Sequence, residues 1–327
     1  MIDWGAIFGN AAVELISPTT AAYALAALGL AIHFGFTGLL NFGQAGFMLL
    51  GAYGYAIPAL KLGWPWWACL LSALLASVVF ALILGIPTLR LRADYLAIVT
   101  IAAAEVLRLV FTTNEFQPVT GSANGLSEFQ AGLLEFNPFP PGRYGFGPWV
   151  FDNRVWFFLV LAWVVVALAA LLTWLLMRSP WGRVIKGIRE DEDAVRSLGK
   201  NVYSYKMQSL ILGGLFGTLA GIIFVMPRAV VPSYFQPTLT FMVYAILLLG
   251  GAATILGPIV GSMVFWVLLS FFSGFISRAV EAGWFPFMTQ VQAGQLRFIL
   301  VGIAIMLIVI FMPQGLLGNR KELAFVK

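Results

Sequence analysis

The chain has 327 residues, of which 61% are hydrophobic and only 10% charged, and it carries a net charge of +5. A soluble domain carries about 25% charged residues, so this balance excludes an ordinary globular enzyme and points to the membrane class. Lys and Arg sit in short connections and one longer polar segment rather than among exposed aromatics, which is how a membrane protein carries positive charge and which sets nucleic-acid binding aside.

In chain order, residues 1–17 contain Asp3 and Glu14 but no Lys or Arg. They lack a basic n-region, and insertion is expected to be directed by the first true span. Residues 4–16 are apolar but too short to cross about 30 Å of hydrocarbon, and are expected at the interface or tucked against the bundle. No charge occurs between Glu14 and Lys61; that length suits two passes, 19–36 and 39–60, joined by a tight turn at Thr37-Gly38. Further spans are predicted over 66–87, 95–112, 155–177 and 207–225. The next uncharged stretch is divided by Gly257-Pro258 into 239–255 and 259–276, and the last span is 298–312. The single cysteine, Cys69, lies in an apolar run. No intramolecular disulfide or thiol-rich metal site follows, and no cofactor is expected.

Basic residues near the span ends set the orientation. Segment 178–206 holds Arg178, Arg183, Lys186, Arg189, Arg196, Lys200 and Lys206 and is expected in the cytoplasm. Alternate threading of nine spans puts the Arg90/Arg92 loop and the tail with Arg320, Lys321 and Lys327 on the same side, and loop 113–154 outside. The order of spans also suggests two inverted halves: 19–36 pairs with 207–225, the Gly-rich 38–60 with 239–261, 66–87 with 259–276, and 95–112 with 298–312. Span 155–177 pairs with the short N-terminal segment. The expected architecture is an all-α polytopic transmembrane bundle with a five-plus-five inverted repeat whose first element is truncated.

Three segments carry chemistry. Residues 38–54 combine glycines with Asn41 and Gln44, two amides three apart at the start of a span, and Tyr53. Glycines let helices approach closely in lipid. Amides beside helix-weakening glycines suit a discontinuous helix lining a pathway, or equally hydrogen bonds to neighbouring helices. The second segment, Asp94 to Thr100, runs into Glu105 and Arg108. At i,i+3 these two can pair on one helix, as a structural ion pair or as a solute contact. The turn-rich Thr120-Gly-Ser-Ala-Asn124-Gly125-Leu126 follows. In the third segment, Ser179-Pro180 suits a helix start and Gly199 a left-handed helix end. A short helix of mixed charge there suits docking onto a soluble partner, or is an ordinary solvated loop.

Together these segments resemble the permeases of branched-chain amino acid ATP-binding-cassette importers, specifically the longer, LivM type. The resemblance covers nearly the whole chain. It runs from Asn41-Phe-Gly-Gln44 through the Asp94–Arg108 stretch, Thr120–Leu126, Gly182-Arg183, Ile188-Arg-Glu-Asp191 and Leu198-Gly199. It continues to Gly250-Gly251, Gly257-Pro258 and Pro313-Gln-Gly-Leu-Leu-Gly318. It implies a single permease domain of type II importer character, with 1–154 and 155–327 as its halves and 178–206 as the coupling loop. The implied partners are a second homologous permease, two ATP-binding subunits and an external solute-binding protein, in the inner membrane of a bacterial cell. Substrate-path residues would be Asn41, Gln44, Tyr53, Thr100, Glu105 and Arg108; ATPase coupling would use Arg183, Arg189, Glu190, Asp193 and Gly199. Asp193-Ala-Val-Arg-Ser-Leu-Gly199 resembles the Glu-Ala-Ala-x-x-x-Gly coupling signature, but Asp and Val replace Glu and Ala and no Ile-x-Leu-Pro follows. Similar permeases carry urea and short amides, so the solute is an apolar amino acid or a small amide. A Walker A loop and a Gly-x-Ser-x-Gly elbow are absent from the sequence, and His33 is the only histidine. The chain is therefore expected to be a transport subunit without its own ATPase, with a secondary transporter or channel as the rival reading.

Overall fold

A computed structural model describes residues 3–89, 93–282, 284 and 290–318. The Arg90/Arg92 loop and the tail residues Arg320, Lys321 and Lys327 lie outside the described residues. The chain runs α1 (Trp4–Glu14), α2 (Pro18–Leu30, prolonged by a π-helical turn Ala31–Phe36), α3 (Gln44–Ile57, prolonged by Pro58–Leu62), α4 (Trp66–Thr88) and α5 (Ala93–Thr112). The connection that follows holds short α6 (Gln117–Thr120), α7 (Ala131–Leu134) and a hairpin of β1 (Arg143–Phe146) and β2 (Trp149–Asp152). Then come α8 (Asn153–Arg178), α9 (Pro180–Glu190), α10 (Glu192–Ser197), α11 (Val202–Val225), α12 (Pro237–Gly250), α13 (Gly257–Glu281) and α14 (Gln290–Phe311).

Seven helices among the described residues are long and apolar enough to cross a membrane. α12 and the apolar part of α14 are shorter; at 1.5 Å per residue the 14 residues of α12 reach only about 21 Å. Each expected span finds a helix, with several boundaries shifted: α11 starts at Val202 rather than 207, α13 runs to Glu281 rather than 276, and α14 starts at Gln290 rather than 298. The second span starts at Gln44 rather than residue 39, because Gly38 adopts φ +76° and residues 38–43 are not helical. α12 stops at Gly250, not 255, since Gly251 turns the backbone to φ +116°. The N-terminal segment is a helix laid along α13: Trp4 stacks on Phe275, Phe8 meets Phe271, and Asp3 pairs with Arg278 at 3.4 Å. The antiparallel hairpin is the one departure from an all-helical chain among the described residues, and its Trp149 indole donates to the Ala12 carbonyl at 2.7 Å.

α2 sits at the centre, with nearly every residue buried, against α11, α13, α8 and α12. Hydrophobicity does not hold helices together in lipid, so close backbone approach has to. A Cβ on Gly29 would lie 2.5 Å from the Gly213 carbonyl, and one on Gly221 would lie 1.9 Å from the Met48 carbonyl. These glycines draw α2, α11 and α3 together into a tight triple. On the outside, α4 presents Trp67, Leu71, Leu75, Val79 and Ile86 at helical spacing, an apolar stripe fit for lipid.

Candidate functional site

The bundle is interrupted twice. The first interruption, residues 38–43, starts at exposed Gly38 and ends at the N-terminus of α3, with Leu39, Asn41 and Gly43 buried and Leu40 and Phe42 half-buried. A helix start there leaves N–H groups that water cannot reach, so side chains must satisfy them. Asn41 Oδ1 accepts from the Gly43 N–H at 2.8 Å, Thr100 Oγ1 from the Phe42 N–H at 3.0 Å, and Thr240 Oγ1 from the Ala45 N–H at 3.0 Å. The Tyr244 hydroxyl donates to the Asn41 carbonyl at 3.0 Å.

The two amides of the sequence reading are central to this stitching. Asn41 Nδ2 lies 3.0 Å from His33 Nδ1 and donates to Gln44 Oε1 at 3.3 Å. Gln44 Nε2 in turn donates to the carbonyls of Ala26 (3.3 Å) and Gly213 (3.4 Å), and His33 Nε2 lies 3.0 Å from the Leu210 carbonyl. Asn41, Gln44, Thr100 and His33 all have zero exposure. Such a buried bond nets about 0.5–1.5 kcal/mol, whereas an orphaned partner costs about 1–3 kcal/mol, so the network acts as a unit. His33, Thr240 and Tyr244 are members that sequence spacing does not reveal; for His33 the only signal is a lone polar ring in an apolar span.

The other expected path residues lie apart from this network. Tyr53 is fully buried two and a half turns along α3, packed edge-on against Phe111 at 4.8 Å, and its hydroxyl has no partner. Glu105 and Arg108 form a bidentate pair on α5, at 2.8 and 2.5 Å, and both side chains retain some exposure. The same helix exposes Ile98, Val106 and Leu109. Glu105 and Arg108 are thus the path candidates that reach an open face of this chain.

The polar segment packs under the first interruption. α9 buries Gly182, Ile185 and Ile188 against the bundle, and a Cβ on Gly182 would lie 2.6 Å from the Met177 backbone. Ser179 takes the cap position but its hydroxyl turns back to the Leu176 carbonyl at 2.7 Å, leaving Pro180 to start the helix. Asp191 caps α10 through Oδ1, accepting at 3.0 Å from both Asp193 N–H and Ala194 N–H, and Gly199 ends the segment at φ +77°. Arg189 turns inward and donates to the Gly35 carbonyl, at the end of the π-helical turn, while Lys206 pairs with Glu192. A cavity of about 280 Å³ lies between them, lined also by Thr37, Gly38 and Thr88. Arg183, Glu190, Asp193 and Gly199 point to solvent, and beside them Leu198 is 79% exposed. Among the described residues no group of His, Cys, Asp and Glu is arranged to hold a metal ion.

The second interruption, residues 226–236, lies between α11 and α12, with one short 3-10 turn, Pro232–Phe235. Here the connection between α5 and α8 supplies the partners. Leu126 and Val230 form an antiparallel bridge, and Gln130 Nε2 donates to the carbonyls of Met226 and Arg228. Arg228 reaches Thr19 Oγ1 at 2.7 Å and lies over the Phe224 ring.

Comparison with known proteins bears on this arrangement. The sequence profile of the family described as branched-chain amino acid transport system, permease component, matches residues 13–310. The chain is 31% identical to the high-affinity branched-chain amino acid transport system permease protein LivM of Salmonella typhimurium, over 98% of this chain and 73% of that one. Against the protein of the same name from Escherichia coli it is 30% identical with the same coverage. The probable branched-chain amino acid transport permease protein LivM of Methanocaldococcus jannaschii is 25% identical, with 91% of each chain covered.

Proposed function

The chain belongs to the permease family of branched-chain amino acid transport systems, and on that premise we propose that it is the membrane-spanning subunit of an ATP-binding-cassette importer for amino acids with branched apolar side chains. Energy comes from two separate ATP-binding subunits, and solute from an external binding protein. A second, homologous permease completes the path. The observation that carries this reading is the α9–α10 segment. It is anchored to the bundle by Ile185 and Ile188, tied to the first interruption by Arg189, and presents Leu198, Arg183, Glu190 and Asp193 outward. That is the shape of an element that receives a push from a soluble motor and passes it inward. The segment and the chain's basic end then face the cytoplasm, with the hairpin end outside.

The path runs along the open face of α5, between the two permeases, where Glu105 and Arg108 offer a paired carboxylate and guanidinium to a zwitterion, and apolar neighbours suit its side chain. Asn41, Gln44, Thr100 and Tyr53 form the wall behind it, enclosed in this chain: the first three fix helix ends and Tyr53 packs on Phe111, rather than touching the solute. The order of elements supports two inverted halves, since α2, an interruption and α3 in one correspond to α11, an interruption and α12 in the other.

Co-expression with the ATP-binding, permease and binding-protein genes that neighbour this one, followed by labelled leucine uptake into vesicles, tests the reading. ATP-dependent uptake that needs the binding protein is expected. A complex that assembles but moves only an amide or a nucleoside contradicts the substrate, and failure to bind any ATP-binding subunit contradicts the importer class.

A further inference from the structure

The turn-rich segment 120–130 has no role in the reading above, yet it joins the end of α5 to the α11–α12 connection. On one side it closes the end of α5: Thr120 Oγ1 donates to the Phe111 and Phe116 carbonyls at 3.0 Å each, and Ser122 Oγ to the Thr112 carbonyl at 2.6 Å. On the other side it holds the second interruption. Leu126 N–H donates to the Val230 carbonyl at 2.9 Å and Val230 N–H to the Leu126 carbonyl at 2.8 Å. Gln130 Nε2 adds bonds of 3.1 and 3.2 Å to the Met226 and Arg228 carbonyls. The fit depends on backbone shape. Gly121 and Gly125 both sit at φ +72°, and a Cβ on Gly125 would lie 2.2 Å from the Val230 carbonyl. Ser122 adopts φ +49°, a strained value for a side-chain-bearing residue.

The clamp is incomplete. Gln130 is 2% exposed, yet its Oε1 has no donor. An orphaned acceptor of this kind favours any rearrangement that supplies a donor. Residues 226–236 lead directly into α12, whose Thr240 and Tyr244 hold the first interruption.

We propose that residues 120–130 form an external latch. The Leu126–Val230 bridge and Gln130 hold the end of α5 to the α11–α12 connection while the path is closed on that side, and the two part in each transport cycle. Leu126 and Gln130 act as positioning residues; neither touches solute. The inference rests on the permease reading.

A reversible covalent lock tests it. In an antiparallel pair that exchanges both hydrogen bonds the Cα atoms are about 5.5 Å apart, within the range a disulfide spans. The variant Leu126→Cys/Val230→Cys, with the native thiol removed by Cys69→Ser, is assembled with its partner subunits in vesicles. Oxidation is expected to lower leucine uptake about tenfold or more, as a blocked gating step limits turnover, and reductant to restore it. The single-cysteine variants should be unaffected by oxidant. Crosslinked vesicles that transport at the reduced rate overturn the latch, and so does failure of the bond to form under oxidant, because the bridge would then be absent. Gln130→Leu gives a second readout: ATPase activity without binding protein is expected to rise relative to the stimulated rate, whereas a lower melting temperature with an unchanged ratio means a merely structural contact. Wild-type uptake in the same vesicles reports separately on the permease reading; wild-type transport alongside unimpeded crosslinked transport sinks the latch alone.

Discussion

The two interruptions of this bundle solve one problem in opposite ways. At residues 38–43 the freed backbone groups are met by Asn41 itself and by side chains from α5 and α12, and Asn41, Gln44 and His33 all find partners inside the protein. At residues 226–236 the partners come from a surface connection, through one backbone bridge and one glutamine that keeps an unpaired acceptor. A polar network that is fully satisfied and dry resists change, because every displacement orphans a group at about 1–3 kcal/mol. One that is partly satisfied and held from the surface has alternatives close in free energy. On the proposed reading, the first interruption is the rigid floor of the path, and the second is the place where it yields.

The comparison breaks most readily at His33. His33→Leu removes one of the two acceptors of Asn41 Nδ2 and the side-chain partner of the Leu210 carbonyl in a buried interior, for a loss on the order of 1–3 kcal/mol. The melting temperature and the yield of assembled complex in detergent should both drop sharply. An unchanged melting curve would mean that the floor is not held by this network. Asn41→Leu comes next: stability falls while the transport rate per folded complex stays near wild type. The opposite pattern, a slower rate at normal stability, would place Asn41 in contact with solute. Both quantities should be measured on one preparation.

Much of this contrast was hidden from the sequence, for identifiable reasons. Charge-free runs bounded by Lys, Arg and Gly revealed the spans, because the bilayer sets length and polarity directly. Gly38 signalled the first turn, but Leu39, Leu40 and Phe42 are as apolar as any helix and concealed that α3 starts only at Gln44. Gly257-Pro258 marked the divide between two spans, and the proline does sit in the first turn of α13; Gly251, which ends α12 earlier, was not singled out as the stop. Asn41 and Gln44 stood out as amides, but their partners Ala26 and Gly213 come from helices that nothing in the local pattern places beside them. The hairpin Arg143–Asp152 was missed because it is only four residues per strand, and Gln130 because one glutamine in a loop carries no pattern.

Smaller effects sharpen the picture at the polar segment. Leu198→Ser should leave the folding stability within about 0.5 kcal/mol of wild type, as surface changes usually do, yet weaken capture of the ATP-binding subunit in a pull-down. Equal capture would mean that the exposed leucine is not an anchor. Glu105→Gln should be milder still for assembly, since a part-exposed pair contributes about 1 kcal/mol or less. It should raise the leucine concentration needed for half-maximal uptake, and an unchanged value would remove the ion pair from the path.

Hydrogen exchange during turnover tests the contrast between the two interruptions most directly. The complete complex in nanodiscs, with binding protein, leucine and ATP, would be compared with the same complex at rest, following the amides of Phe42, Gly43 and Ala45 against those of Leu126 and Val230. The expected result is unchanged protection at the first three and faster exchange at the last two only when ATP is being hydrolysed. Faster exchange at 42–45 with Leu126 and Val230 still protected would contradict the account, because the floor would then be the part that moves.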